Sequence, residues 1–86
     1  MNKMMVRGLK LLKTSENRDK ILNLLNNGKV LTPTEIAKET KIVINHVSTF
    51  LKEFKENKLI ICLNEEDKRG RLYQITDTGK KVLKLM

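Results

Sequence analysis

A chain of 86 residues with a formal net charge of +8 makes one small domain and favours a polyanionic partner, although a generally basic proteome gives the same excess. Its single cysteine, Cys62, lies in an apolar run, which excludes a disulfide framework and a cysteine-based zinc site and fits a reducing compartment. No apolar run reaches the roughly 20 residues that span a bilayer, and no signal-peptide pattern is present, so we expect a cytoplasmic protein.

Residues 1–14 form a basic segment with a helical period. Gly8 weakens the predicted helix by up to roughly 1 kcal/mol relative to alanine. One face is cationic, and the other is an apolar stripe that must be covered by the domain, by a second copy or by a membrane surface. Of these, we expect a second copy. The apolar stripe consists of Met5, Leu9 and Leu12.

The next predicted helix begins at a cap formed by Thr14 or Ser15. Its first turn carries Glu16 and Asp19, where negative charge suits the helix dipole. Residues 26–28, Asn-Asn-Gly, end it. The core stripe of this helix consists of Ile21, Leu22, Leu24 and Leu25.

The stretch 32–57 predicts two helices joined by a tight turn. Thr32 and Glu35 have the spacing of a capping box, Pro33 fills the first helical position, and the helix is expected to end by Lys41. The second helix, about 43–57, has a 3.6-residue period and a polar outer face. Its apolar stripe consists of Val47, Leu51 and Phe54. A short helix, a turn and a longer helix form the helix-turn-helix pattern.

After Asn57 the period changes from 3.6 to 2. Two short strands, 59–63 and 71–76, flank a charged turn at 64–70, in which Gly70 supplies positive φ. Val30 and Leu31 are too short for an independent strand and are expected to pair at the edge of this hairpin. Thr76 or Thr78 caps a last helix. The apolar residues of that helix are Val82, Leu83 and Met86.

The order of these elements predicts a mainly α domain with a small β-hairpin. It is a winged helix-turn-helix at 15–86, preceded by an extra N-terminal segment at 1–14. The apolar stripes at the two termini are predicted to meet a second copy. The predicted dimer contacts are Met5, Leu9, Leu12, Val82, Leu83 and Met86.

The chain resembles winged-helix transcription regulators of the ArsR and MarR type, in particular their small stand-alone archaeal versions. The resemblance covers 15–83 and rests on SENRDKILNLL, LTPTEIAK, INHVSTFLKEF and KLIICLNEEDKRGRLYQITDTGKKVL, with 72–76 and Gly79 in register. It implies a regulator that binds double-stranded DNA. Metal-sensing members need a cysteine or His/Asp cluster, which Cys62 and His46 alone do not provide, so we expect no metal and no cofactor.

The chain departs from the pattern of these regulators at both ends of the second of these two helices, about 43–57. Lys41 stands where glycine is usual in the turn. Val43 stands where serine or threonine usually caps the helix, and losing a cap costs on the order of 1 kcal/mol. Lys58 replaces the usual glycine after the helix, although Asn57 beside it tolerates the left-handed conformation well.

A helix in the major groove needs side chains that reach base edges and others that bind phosphates. Asn45, His46 and Thr49 are predicted to read bases, since they lie on the exposed N-terminal half of the recognition helix. Two of these have ordinary alternatives. Asn45 is otherwise solvated or caps the helix, and His46 is otherwise a surface residue. The predicted phosphate contacts are Thr34, Lys41, Ser48, Lys52, Lys68, Arg69 and Arg71.

The recognition helix is not strongly basic, because Glu53 and Glu56 offset Lys52 and Lys55. Two hypotheses therefore stay open. One is a homodimeric, sequence-specific regulator with its recognition helix in the major groove and its wing, 64–70, on the DNA backbone or minor groove. The other is a winged-helix protein–protein interaction module. One histidine, one cysteine and the lack of a glycine-rich phosphate loop argue against an enzyme.

Overall fold

The computed structural model of the chain describes residues 3–13 and 16–85, without the side chains at positions 4, 5 and 11–13. The predicted order of elements is confirmed, and the predicted cap at 14 or 15 lies outside the described residues. Among the described helices, none combines the length and apolar character needed to cross a bilayer. The elements are α1 (Lys3–Lys13), α2 (Glu16–Leu25), α3 (Pro33–Thr40), α4 (Ile44–Glu56), β1 (Ile60–Cys62), β2 (Tyr73–Ile75) and α5 (Asp77–Lys84).

The start of α3 is fixed by the predicted capping box. The Glu35 backbone N–H donates to the Thr32 hydroxyl oxygen at 3.2 Å, and the Thr32 backbone N–H donates to a Glu35 carboxylate oxygen at 3.0 Å. The Thr32 backbone N–H, with a smaller contribution from its hydroxyl, lowers the pKa of Glu35 because it stabilises the charged carboxylate. The helix ends at Lys41, as predicted.

Lysines hold the sharp backbone turns on both sides of α4. Lys41 has φ 61° and Lys58 has φ 62°, a conformation that costs an L-residue roughly 1–2 kcal/mol and that glycine adopts freely. Asn57 tolerates this conformation well but does not adopt it. Asn57 has φ −95°, and its side-chain amide donates to the Glu53 carbonyl oxygen at 2.8 Å, so it completes the end of the helix instead.

The hairpin is antiparallel, with Ile60 opposite Ile75 and Cys62 opposite Tyr73. Leu31 forms an isolated bridge with Tyr73, which confirms the predicted pairing at the hairpin edge. Side chains alternate between the two faces of the hairpin along each strand, and one of these faces packs against the helices. The buried core beneath it consists of Ile21, Leu22, Leu25, Leu31, Ile36, Ile42, Val47, Leu51, Phe54, Leu59, Ile60, Tyr73, Ile75 and Val82.

Thr76, and not Thr78, caps α5. Its hydroxyl accepts a bond from the Gly79 backbone N–H at 3.0 Å and donates to the Lys58 carbonyl oxygen at 2.7 Å. Gly79 then lies directly against the Leu59 carbonyl, where a Cβ atom would also come within 2.7 Å of Ile75 Cγ1. The helix therefore approaches the start of β1 more closely than any side chain would allow.

Helix α1 packs against α2 and α5 of the same chain. Its Gly8 is buried, and a Cβ atom there would lie 3.0 Å from Val82 Cγ2. Val82 is 0% exposed, so its prediction as a dimer contact is wrong, because α1 and the core cover it within one chain. Leu9 and Leu83 are half-buried against the core. The other predicted dimer contacts lie outside the described residues or side chains: Met5, Leu12 and Met86.

Candidate nucleic-acid interface

A groove of about 730 Å³ lies between the N-terminus of α3, one face of α4 and the wing at 64–70. The described residues that line it include no aspartate or glutamate. Six of the seven predicted phosphate contacts meet there, and Lys41, in the turn between α3 and α4, lies outside it. We call this the basic groove. Its polar lining consists of Thr32, Thr34, Ser48, Lys52, Lys55, Lys68, Arg69 and Arg71.

The rotation of α4 is set by its apolar stripe, since the three residues predicted for that stripe are at most 1% exposed. This rotation turns Ser48 and Lys52 toward the basic groove. Asn45 and Thr49 lie on the adjoining exposed strip, one turn apart, and the Thr49 hydroxyl donates to the Asn45 carbonyl oxygen at 3.1 Å. Phosphate-binding and base-reading candidates therefore occupy neighbouring strips of one helix.

His46 lies on a different strip from Asn45, beside Phe50. The two rings have centroids 6.3 Å apart, and the Arg18 guanidinium carbon lies 5.0 Å from the Phe50 centroid. Arg18 also holds Glu53 through two contacts, Nε to Oε2 at 2.8 Å and Nη2 to Oε1 at 3.2 Å. One of the two acidic charges on α4 is therefore compensated from α2, away from the basic groove. Sequence reasoning missed this pair because 35 positions separate its members.

Val43 and Ile44 open α4 and are 61% and 42% exposed. Val43 makes no side-chain capping bond, as its residue type predicted, and Ile44 lines the basic groove. Sequence reasoning treated Val43 only as a poor cap and assigned Ile44 nothing. The available signal was that the buried stripe begins only at Val47, which leaves these two apolar residues without a place in the core.

The wing is organised by Asn64. Its side-chain amide donates to Asp67 Oδ2 at 2.9 Å and to the Gly70 carbonyl oxygen at 3.2 Å, while its Oδ1 accepts from the Leu72 backbone N–H at 2.7 Å. Gly70 has φ 65°, as predicted. These three bonds close the loop on itself, so the wing is ordered before any partner arrives.

Arg71 contributes to that order and is not wholly available to a ligand. Its Nε donates to the Asp67 carbonyl oxygen at 2.7 Å and its Nη2 to the Glu65 carbonyl oxygen at 3.3 Å. Lys68 and Arg69 are exposed and make no hydrogen bond or ion pair with another described residue. Of the three basic residues predicted to bind phosphate in the wing, these two are the ones ready to do so.

Lys55 and Glu65 form an ion pair that ties the wing to the C-terminal half of α4. The hydrogen bond raises the pKa of Lys55 and lowers the pKa of Glu65, because each charge stabilises the other. The pair uses one lysine of the basic groove.

In the described part of the chain, no group of three or more histidine, cysteine, aspartate or glutamate residues is arranged to hold a metal ion.

No protein-family model matches the sequence, and no curated protein is significantly similar to it. Several solved structures resemble the chain, and three of them illustrate the likeness. The MepR–DNA complex from S. aureus has a TM-score of 0.73 and 22% identity, covering 96% of this chain and 69% of that one. ZitR from Lactococcus lactis, a double mutant, has a TM-score of 0.70 and 29% identity, covering 83% of this chain and 49% of that one.

The third structure is a homodimeric winged helix-turn-helix DNA-binding domain from Mycobacterium bovis, named as a possible ArsR-family transcriptional regulator. It has a TM-score of 0.67 and 24% identity, covering 94% of this chain and 70% of that one. The fold is a winged helix-turn-helix. The chain spans about half to 70% of the length of these proteins. A closer likeness to archaeal regulators stays a prediction.

Proposed function

We propose that the chain is a transcription regulator that binds double-stranded DNA, with α4 in the major groove and the wing on the adjacent backbone or minor groove. The observation that carries this proposal is the basic groove between α4 and the wing. The DNA strand that separates a major from a minor groove must pass between two elements that occupy them. A channel with cationic walls and no acidic lining residue suits that strand.

The N-terminus of α3 adds to the same surface. Thr34 is exposed at the edge of the basic groove, and the first N–H groups of a helix have no partner within it. The hydroxyl and backbone N–H of Thr34 are therefore donors suited to a phosphate oxygen. Glu35 lies close by, but its carboxylate is held by Thr32. We assign Thr34 a phosphate contact, beside Ser48 and Lys52 on α4.

Sequence specificity is proposed to come from the exposed strip of α4. Asn45 is suited to bridge adenine through N6 and N7, and a well-placed pair of this kind discriminates by roughly 1–3 kcal/mol. Thr49 lies one turn further along the same strip. His46 is the third predicted base contact, and its place beside Phe50 suits the edge of the site.

We further propose a cytoplasmic homodimer without metal or cofactor. The structural relative from Mycobacterium bovis is homodimeric, and two copies of α4 would read half-sites about one helical turn apart. Leu9 and Leu83, both half-buried at the surface of the core, remain proposed contacts. The proposal also extends to Met5, Leu12 and Met86.

The test is selection of bound duplexes from a random library with purified protein at two salt concentrations. We expect a short inverted repeat that persists at the higher salt concentration. Asn45→Ala should then relax one base position in each half-site, while Asn26→Ala, an exposed asparagine in the loop after α2, should leave the selected sequence unchanged. Sequence-blind binding that disappears with salt would reduce the activity to counterion release and contradict the proposal.

A protein-interaction module is the second candidate. Two observations favour it: the apolar start of α4, and Ile61 and Leu63, which are 46% and 50% exposed on the outer face of the hairpin. Contiguous exposed apolar residues are a feature of protein–protein interaction surfaces. Unchanged DNA affinity after replacement of both Asn45 and Thr49 by alanine would favour this candidate over the first.

A further inference from the structure

We propose that Val43 and Ile44 select thymine by packing against its C5-methyl group in the major groove. The preferred half-site would then carry T·A pairs next to the adenine that Asn45 reads. This inference rests on the proposed function and adds to it the base chemistry that the start of α4 recognises.

The first support is the position and exposure of the pair. Val43 and Ile44 are 61% and 42% exposed at the N-terminal end of α4, which is the end that a helix-turn-helix protein directs at base edges. The other strongly exposed large apolar residues that the structure describes lie elsewhere, in α1, the loop before α3, the hairpin and the end of α5. The apolar end is therefore a local feature of the recognition helix.

The second support is that neither residue belongs to the buried core. Val43 occupies the capping position and makes no side-chain hydrogen bond, whereas serine or threonine there would stabilise the helix. Ile44 precedes the buried stripe, which begins at Val47. Apolar side chains at these two positions therefore forgo a cap and gain little burial, which points to a contact outside the chain.

The third support is the chemistry of the neighbouring side chains. The Thr49 hydroxyl donates its proton to the Asn45 carbonyl oxygen, so Thr49 offers a base its methyl group and an acceptor oxygen but no donor. Ile44 shares the basic groove with Ser48 and Lys52, which places it between a phosphate site and the base edges. Thymine carries the one apolar group that unmodified DNA presents in the major groove.

The experiment uses the duplex obtained from selection and replaces each thymine in turn with deoxyuridine, which lacks only the methyl group. We expect one or two positions in each half-site at which this change weakens binding by the wild-type protein by about fourfold, as one buried methyl group would. With Val43→Ser and Ile44→Ala, the ratio of affinities for the thymine and deoxyuridine duplexes should fall toward one. Ile61→Ala, which removes an equally exposed apolar side chain from the hairpin, is the matched control and should keep the wild-type ratio.

Val43→Ser also separates recognition from folding. Serine is a good cap, so this variant should melt at the same temperature as the wild type or above it while losing its response to the thymine methyl group. If deoxyuridine is tolerated at every position, or if both variants keep the wild-type ratio, the inference is wrong and the apolar end is left for a protein partner. If no specific duplex is selected at all, it is the proposed function that fails.

Discussion

The two sides of the molecule differ in how closely their elements approach. Where α1, α5 and the start of β1 meet, contact is made at Gly79 and Gly8, and the Gly79 position has no room for a side chain. On the opposite side, α4 and the wing stand apart and leave the basic groove between them, lined by exposed or half-buried polar side chains. Stability and the proposed DNA binding therefore depend on different residues, so each should be changeable without the other.

The largest expected effect is on the packed side, with Gly79→Ala. The added Cβ would collide with the Leu59 carbonyl and come within 2.7 Å of Ile75. Overpacking of this kind typically costs about 1–3 kcal/mol, so thermal denaturation should show a midpoint lowered by at least about 4 °C. DNA affinity, measured well below that midpoint, should stay unchanged.

Gly8→Ala is the matched control for that substitution. Its Cβ would meet side-chain atoms and no backbone, at 3.0 Å from Val82 and 3.1 Å from Leu59, so a shift of a few tenths of an ångström would relieve the contact. Alanine also gains roughly 1 kcal/mol of helix propensity over glycine, so the two effects should nearly cancel. Equal stability of the two variants would mean that α5 can shift away from β1, and the contrast between the two sides would be weaker than described.

The next effect belongs to the groove side, with Lys68 and Arg69 both replaced by alanine. Affinity should fall by a similar factor for every DNA sequence, because phosphate contacts carry no base information. The slope of log affinity against log salt should decrease by up to about 1.8, for two lost phosphate contacts. The thermal midpoint should not move, since neither side chain has a partner among the described residues.

Removing the same charge elsewhere provides the control. Lys80 and Lys81 are exposed on α5, away from the basic groove, and their replacement by alanine should leave the salt slope as in the wild type. If both double variants changed the slope equally, net charge rather than the position of the wing would govern binding.

Features governed by neighbouring residues could be predicted from the sequence. The capping box of α3, the buried stripe of α4 and the turn at Gly70 each depend on residues within a few positions or on a simple period. Local chemistry decided these features, so a single sequence sufficed. Six of the seven predicted phosphate contacts also line one groove, but they come from α3, α4 and the wing, so their proximity depends on how those elements pack.

Features that depend on tertiary contact could not be predicted in this way. Gly8 signals a weak helix by propensity, yet in the fold it is buried where α1 packs on Val82 and Leu59. The compensation of Glu53 by Arg18 joins helices that are distant in sequence. Of the adjacent residues Asn57 and Lys58, Lys58 takes the left-handed turn, although asparagine has the better intrinsic tolerance of that conformation.

A smaller effect is expected from Glu65→Gln, which releases Lys55 into the basic groove. Affinity for DNA should rise and the salt slope should steepen by at most about 0.9, one phosphate contact. Because the Lys55–Glu65 pair is exposed, the thermal midpoint should hardly change. Glu66→Gln removes the same charge from an exposed neighbour without a described ion pair, and should raise affinity less.

The difference in DNA affinity between the wild type and Glu65→Gln should depend on pH in a definite direction. Lys55 lowers the pKa of Glu65 and itself titrates above its usual range, so both groups stay charged near neutral pH and the gain from Glu65→Gln should be constant there. In acid, as the pH falls through the lowered pKa of Glu65, the wild-type carboxylate is neutralised and its affinity should approach that of the variant. A difference that already disappears near neutral pH would show that another group is responsible.

The smallest effect is expected from replacing Lys41 and Lys58, the two lysines with a left-handed backbone conformation. These replacements test most directly whether stability and DNA binding depend on different residues. Glycine at either position relieves a backbone conformation that costs roughly 1–2 kcal/mol but loses about 0.5–1 kcal/mol through its freer unfolded chain. Lys58→Gly and Lys41→Gly should therefore each stabilise the fold by up to about 1.5 kcal/mol in urea denaturation. Lys58 has no proposed DNA contact, so only Lys41→Gly should weaken DNA binding, with a shallower salt slope. If both variants bind DNA like the wild type, Lys41 contacts no phosphate and the DNA surface ends at the basic groove.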